Sequence, residues 1–233
     1  MNPADHRPPA RLTGALLLSS LVAMLAGVAV VVPSGLTLNP ADPAAVLAVV
    51  NGRVAAHLIG LGLDIAGWLA LLAAGLVMTA HPTGHRPTSL PGGLLACAGL
   101  AGLLHDAGNL ALTQLAADPT DPAAAMVAWA VLLCAKWTVN LAGLLWVAAT
   151  VTTALGAKLP TWLRRAGVIA AVSGLAAVLL PWTTGIDGPS APLEQLGYGL
   201  HLPVMIWYGL LGWRLIRTNP APARLERPTP QLL

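Results

Sequence analysis

Residues 54–78 read VAAHLIGLGLDIAGWLALLAAGLVM, and this stretch decides the fold. It carries only two ionisable side chains, His57 and Asp64. At ~1.5 Å per residue, a helix of this length outruns a hydrocarbon core of ~30 Å. A membrane-crossing helix is therefore expected here. The apolar run extends back to Val46 and forward to Ala80, with Asn51, Gly52 and Arg53 interrupting it.

Five further apolar segments flank this one, at 12–32, 92–115, 124–151, 166–182 and 196–216. Proline and glycine gather in the connections, for example Pro33, Pro40, Pro43, Pro82, Pro87, Pro91, Pro160, Gly188 and Pro189. The whole chain has the same character. Of 233 residues, 56% are hydrophobic and 9% charged, and the mean hydropathy is +0.73. Soluble domains carry about 25% charged residues. A soluble globular protein, a disordered chain and a coiled coil are excluded. The expected fold class is all-α, a polytopic membrane protein with six transmembrane helices in one bundle. Residues 1–11 form an N-terminal tail, 12–217 the membrane domain, and 218–233 a C-terminal tail expected to be disordered.

Charge sets the orientation. Arg7, Arg11, Arg86, Lys158, Arg164, Arg165, Arg214, Arg217, Arg224 and Arg227 all fall on one side of this topology. The opposite connections carry Asp42, Asp118, Asp121 and Asp187, with Arg53 the basic residue near that surface. Lys and Arg accumulate on the cytoplasmic side, so both termini are expected inside. The first apolar run is too long for a signal-peptide h-region of ~7–15 residues, and no clear A-x-A site follows it. It reads as a retained span. Trp162 and Trp213 near the inner face, with Trp129 and Trp182 near the outer, fit interfacial aromatic belts. The formal net charge is +3 with no basic stripe, so nucleic acid is not an expected partner. The partner is the lipid bilayer, with a homo-oligomer or a membrane-complex partner left open. Cys97 and Cys134 form no CxxC pair and sit at different depths, so no disulfide is expected.

Ionisable groups inside a bilayer are costly and often functional. The second span has His57 and Asp64, seven apart and so on one helical face. The third has His105, Asp106 and Asn109, and the fourth Lys136 and Asn140. The sixth and its outer approach carry Glu194, Tyr198, His201, Met205 and Tyr208 at steps of four, three, four and three. If the helix begins early enough to include Glu194, these make one stripe. Tyr and Met at such spacing are equally compatible with ordinary packing. By depth, His57 and His201 lie in the outer third, and Asp64, His105, Asp106 and Lys136 nearer the middle. These groups together suggest one polar pocket opening outward, able to bind a small or lipophilic ligand.

Several chemistries fit such a pocket. His57, His105 and His201, with Asp64 or Asp106 nearby, make a metal set, since catalytic zinc commonly uses three protein ligands and one open position. Two of the histidines would equally suit a haem. No HxxxH or HExxH pair sits on one span, because His81 and His85 enclose Pro82 and Gly84 and read as loop. Asp64, Asp106 or Glu194 could act as an acid on a lipophilic substrate. A purely structural reading pairs Lys136 with Asp64 or Asp106 and lets Asn109 and Asn140 bridge helices. A transporter reading lacks an internal repeat, although Pro203 in the sixth span frees a backbone carbonyl. The pocket is compatible with a ligand-binding protein, an enzyme, a transporter or an accessory subunit.

Ala10-Arg11-Leu12-Thr13-Gly14, Asn51-Gly52-Arg53, the basic residue before the third span and Trp207-Tyr208-Gly209 resemble a broad bacterial family of six-span integral membrane proteins of unknown function. The resemblance covers most of the chain. It implies a six-helix bundle in the bacterial inner membrane and brings no assigned activity. The chain departs from the family in lacking Phe and in its richer His content.

Overall fold

In the computed structural model, which describes residues 7–81, 89–187 and 190–217, the chain is helical, with no strand among the described residues. The elements are α1 (Arg7–Val31), α2 (Pro43–Gly52), α3 (Val54–Ala80), α4 (Leu90–Leu115), α5 (Pro122–Gly156), α6 (Thr161–Leu179), a 3-10 stretch (Leu180–Asp187) and α7 (Ala191–Arg217). Five helices are long and apolar enough to cross a membrane: α1, α3, α4, α5, and α6 with its 3-10 extension. This architecture is that of a helical membrane protein. The sequence features at Arg86, at Gly188 and Pro189, and in 218–233 lie outside the described residues.

The long second apolar segment divides at Arg53. This residue leaves helical geometry (φ −143°, ψ 35°) and ends α2. Its guanidinium donates to the Ser34 carbonyl. α2 begins at Asp42, whose side chain accepts from the Ala45 amide, with Pro43 at the first turn. α5 begins the same way, with Asp121 accepting from Ala123 and Pro122 following. In the turn between α4 and α5, the Thr120 amide and hydroxyl donate to Asp118 and hold its carboxyl below the usual carboxylate range.

The six long helices close into a ring, each packed on two neighbours in the order α1, α3, α4, α5, α6, α7 and back to α1. Small residues allow the backbones to approach. At the α1–α7 seam a Cβ on Gly14 would sit 2.5 Å from the Gly212 carbonyl oxygen, and one on Gly212 would sit 2.7 Å from that of Gly14. First and last helices thus touch backbone to backbone.

α2 lies outside this ring, against the ends of α3, α4 and α5. Its Val46, Leu47 and Val50 pack with Leu112, Ala128 and Leu132. Asn51 ties it down by donating to the Ala116 carbonyl at 2.6 Å. The short apolar helix therefore caps the end of the bundle that carries Asp42, Asp118 and Asp121. Trp129, Trp162, Trp182 and Trp213 are each about half exposed on the outside of the ring, as aromatic belts require.

Candidate functional site

The interior of the ring is built on aromatic rings from three helices. Trp146 of α5 stands at the centre, with ring centroids 5.6 Å from Trp68 of α3, 5.3 Å from His201 and 6.0 Å from Tyr208, both on α7. Tyr208 also meets Trp207 edge-on at 4.9 Å. Glycines make room for these rings. Gly102 lies under Trp68, and a Cβ on Gly143 would come 3.3 Å from Cε1 of His201.

Above this floor, towards the end capped by α2, sits a cluster of ligand-type groups. Asp64 on α3 and Asp106 on α4 lie nine or ten residues from that end of their helices, so they meet at one level. One ligand atom from each of Asp64, His105 and Asp106 lies within 4.8 Å of the other two. Asp106 has no exposed surface, and its carboxyl faces that of Asp64 with no N–H or hydroxyl donor on either oxygen. Trp68, one helical turn from Asp64, is likewise buried, with its indole N–H directed to the Asp64 carboxyl. Buried polar groups without partners are rare, and each calls for an explanation.

His105 is oriented by its neighbours. Its Nδ1 lies 2.8 Å from the Ala135 carbonyl, which makes Nδ1 the donor and leaves Nε2 with a lone pair. The Asn109 side-chain amide, one turn on, lies 2.9 Å from that Nε2. The Asn109 backbone carbonyl accepts in turn from Nε2 of His57 at 3.1 Å. His57 is buried and joins α3 to α4, outside the three-residue cluster.

The expected pairing of Lys136 with Asp64 or Asp106 is corrected by the structure. Lys136 forms its ion pair with Glu194 of α7, whose side chain is 1% exposed. The reason is the reach of α7. The helix begins at Ala191, so Glu194 is inside its first turn and is carried across to α5. Asn140 is also engaged structurally. Its amide donates to the Val178 carbonyl at 2.9 Å, and its oxygen accepts from the Trp182 indole at 2.8 Å. This ties α5 to α6 and to the 3-10 stretch.

Glu194, Tyr198, His201, Met205 and Tyr208 do share one face of α7. Glu194 and Tyr208 are buried, and His201 and Met205 partly so. Tyr198 is 57% exposed, yet its phenol lies within electrostatic reach of Asp64. His201 stacks on the aromatic floor and is not a member of the Asp64–His105–Asp106 group. The structure thus brings together Asp64, His105, Asp106 and Asn109, and separately Lys136 with Glu194. It does not gather His57, His105 and His201 around one point.

Trp68 and Trp146 were not among the sequence candidates. The available signal was their position. Trp68 follows Asp64 by four residues, and Trp146 lies mid-helix, away from either interface where tryptophan is usual. Two open apolar grooves of about 310 and 440 Å³ lie on the outside of the ring, between α4 and α5 and between α1 and α3. Neither is lined by a candidate residue. No family model, curated protein or solved structure matches the chain.

Proposed function

We propose that this is a six-span integral membrane protein of a bacterial-type inner membrane, with both termini cytoplasmic, that binds a small or lipophilic ligand in a polar chamber opening outward. α7 supports the sixth span. It is as long as α3, at 27 residues each, and it closes the ring between α6 and α1. Polar residues depress its apolarity, but Glu194 and Tyr208 are buried in the ring, where a membrane helix tolerates them.

The observation that carries the ligand reading is Asp106. A carboxyl group with no exposed surface, whose one polar neighbour is a second acid, Asp64, is expensive to ionise in a low-dielectric interior. A structural residue would be expected to have its partner in the fold. A binding residue meets its partner in the ligand. The neighbouring His105, held in one tautomer beside two carboxylates, favours a second reading, a membrane-embedded enzyme using acid–base chemistry.

Thiol accessibility tests the chamber. In a background with Cys97 and Cys134 replaced, His201→Cys should react with a membrane-impermeant thiol reagent added outside intact cells. Reaction only from the cytoplasmic face of inverted vesicles would refute the outward opening.

A further inference from the structure

We infer that Asp64, His105 and Asp106 form a site for one divalent first-row transition-metal ion. The inference rests on the chamber reading and names its ligand class. Three observations converge on it.

The first is charge. Two carboxyl groups face one another inside the ring, one of them fully buried. Apart from each other, they pair with no cation among the described residues, and Asp106 meets no N–H or hydroxyl donor. The nearby lysine is paired elsewhere, with Glu194. A doubly charged cation between Asp64 and Asp106 would neutralise both, as buried charges require.

The second is ligand geometry. Three donor atoms, two carboxylate oxygens and an imidazole nitrogen, already lie within 4.8 Å of one another, and they come from two adjacent helices of the ring rather than from a mobile loop. Small inward adjustments of side chains bring such a set around a single ion.

The third is the orientation of His105. Metal-bound histidines commonly donate their second ring N–H to a backbone carbonyl, which fixes the tautomer and turns the other nitrogen to the metal. Nδ1 of His105 does this with Ala135, and Nε2 keeps its lone pair. Asn109, whose amide holds Nε2 at 2.9 Å, is the group that would turn aside and offer its oxygen to the ion or to a bound water. The mixed carboxylate and imidazole set selects first-row divalent ions over Mg²⁺ and Ca²⁺, which prefer oxygen alone. Three protein ligands leave positions open for an exogenous ligand.

The test uses the full chain in mild detergent, stripped with a chelator and titrated with Co²⁺. One equivalent should bind and give visible ligand-field absorption that Zn²⁺ displaces. Asp106→Asn, Asp64→Asn and His105→Gln should each weaken binding by about tenfold or more. His81→Ala, at the far end of α3, should leave it unchanged. Asp106→Asn keeps the side-chain shape and can still hydrogen-bond to Asp64, so it keeps the test valid if His105→Gln fails to fold. Absence of saturable Co²⁺ binding, or binding indifferent to Asp106→Asn, would overturn the inference and leave the two carboxylates sharing a proton. Outside labelling of residue 201 without metal binding defeats this inference alone. Metal binding with labelling only from the cytoplasm defeats the outward chamber alone.

Discussion

Lys136 of α5 is joined to Glu194 of α7 across the ring, and neither Asp64 nor Asp106 takes part in that pair. This relationship divides the polar interior into two parts. One is internally neutral. The other, around Asp106, sets two acids against one another with no cation paired to either among the described residues.

The Lys136–Glu194 pair should behave as a buried structural bridge. Removing one partner strands the other, at about 3–5 kcal/mol. Lys136→Met and Glu194→Gln should each lower the melting temperature of the purified protein strongly. The double variant should recover most of the loss. Equal loss in the double variant would show that the two residues do not compensate one another.

The α1–α7 seam depends on absent side chains. Gly14→Ala or Gly212→Ala places a methyl group against a facing backbone carbonyl, at a cost of about 1–3 kcal/mol. At ~2–4 °C per kcal/mol for a chain of this size, the fall is measurable by thermal denaturation. Gly62→Ala and Gly199→Ala meet nothing within 4 Å and should be near neutral.

Much of this arrangement was legible in the sequence, and the reason is length. An apolar run such as 54–78 can satisfy its backbone in a bilayer only as a helix, so the long helices could be placed from hydropathy alone. The split at Arg53 was not read from the sequence, where 46–80 forms one long apolar segment. The common level of Asp64 and Asp106 followed from helical rise. Partner choice was not legible. Lys136 has several acids at plausible depth, and only the order of helices around the ring selects Glu194. The central role of Trp146 was hidden for the same reason, because an aromatic residue mid-span reads equally as lipid-facing or interior.

The cap formed by α2 is anchored by few polar contacts. Asn51→Ala removes the bond to the Ala116 carbonyl, worth about 1 kcal/mol. Hydrogen exchange of the α2 amides should accelerate about fivefold while α3 and α4 keep their protection. Acceleration throughout the bundle would mean that α2 is integral to the ring rather than a cap on it.

The central claim is that Asp106 waits for a partner from outside the chain. Its most direct test is the melting temperature of Asp106→Asn in chelator-treated protein at neutral pH. The substitution keeps the shape and leaves an amide that can still hydrogen-bond to the facing Asp64 carboxyl. A change of less than about 1 kcal/mol, or roughly 2–4 °C, is predicted. A fall of that size or more would show that Asp106 holds the fold together, and the account of it as a ligand-binding residue would be contradicted.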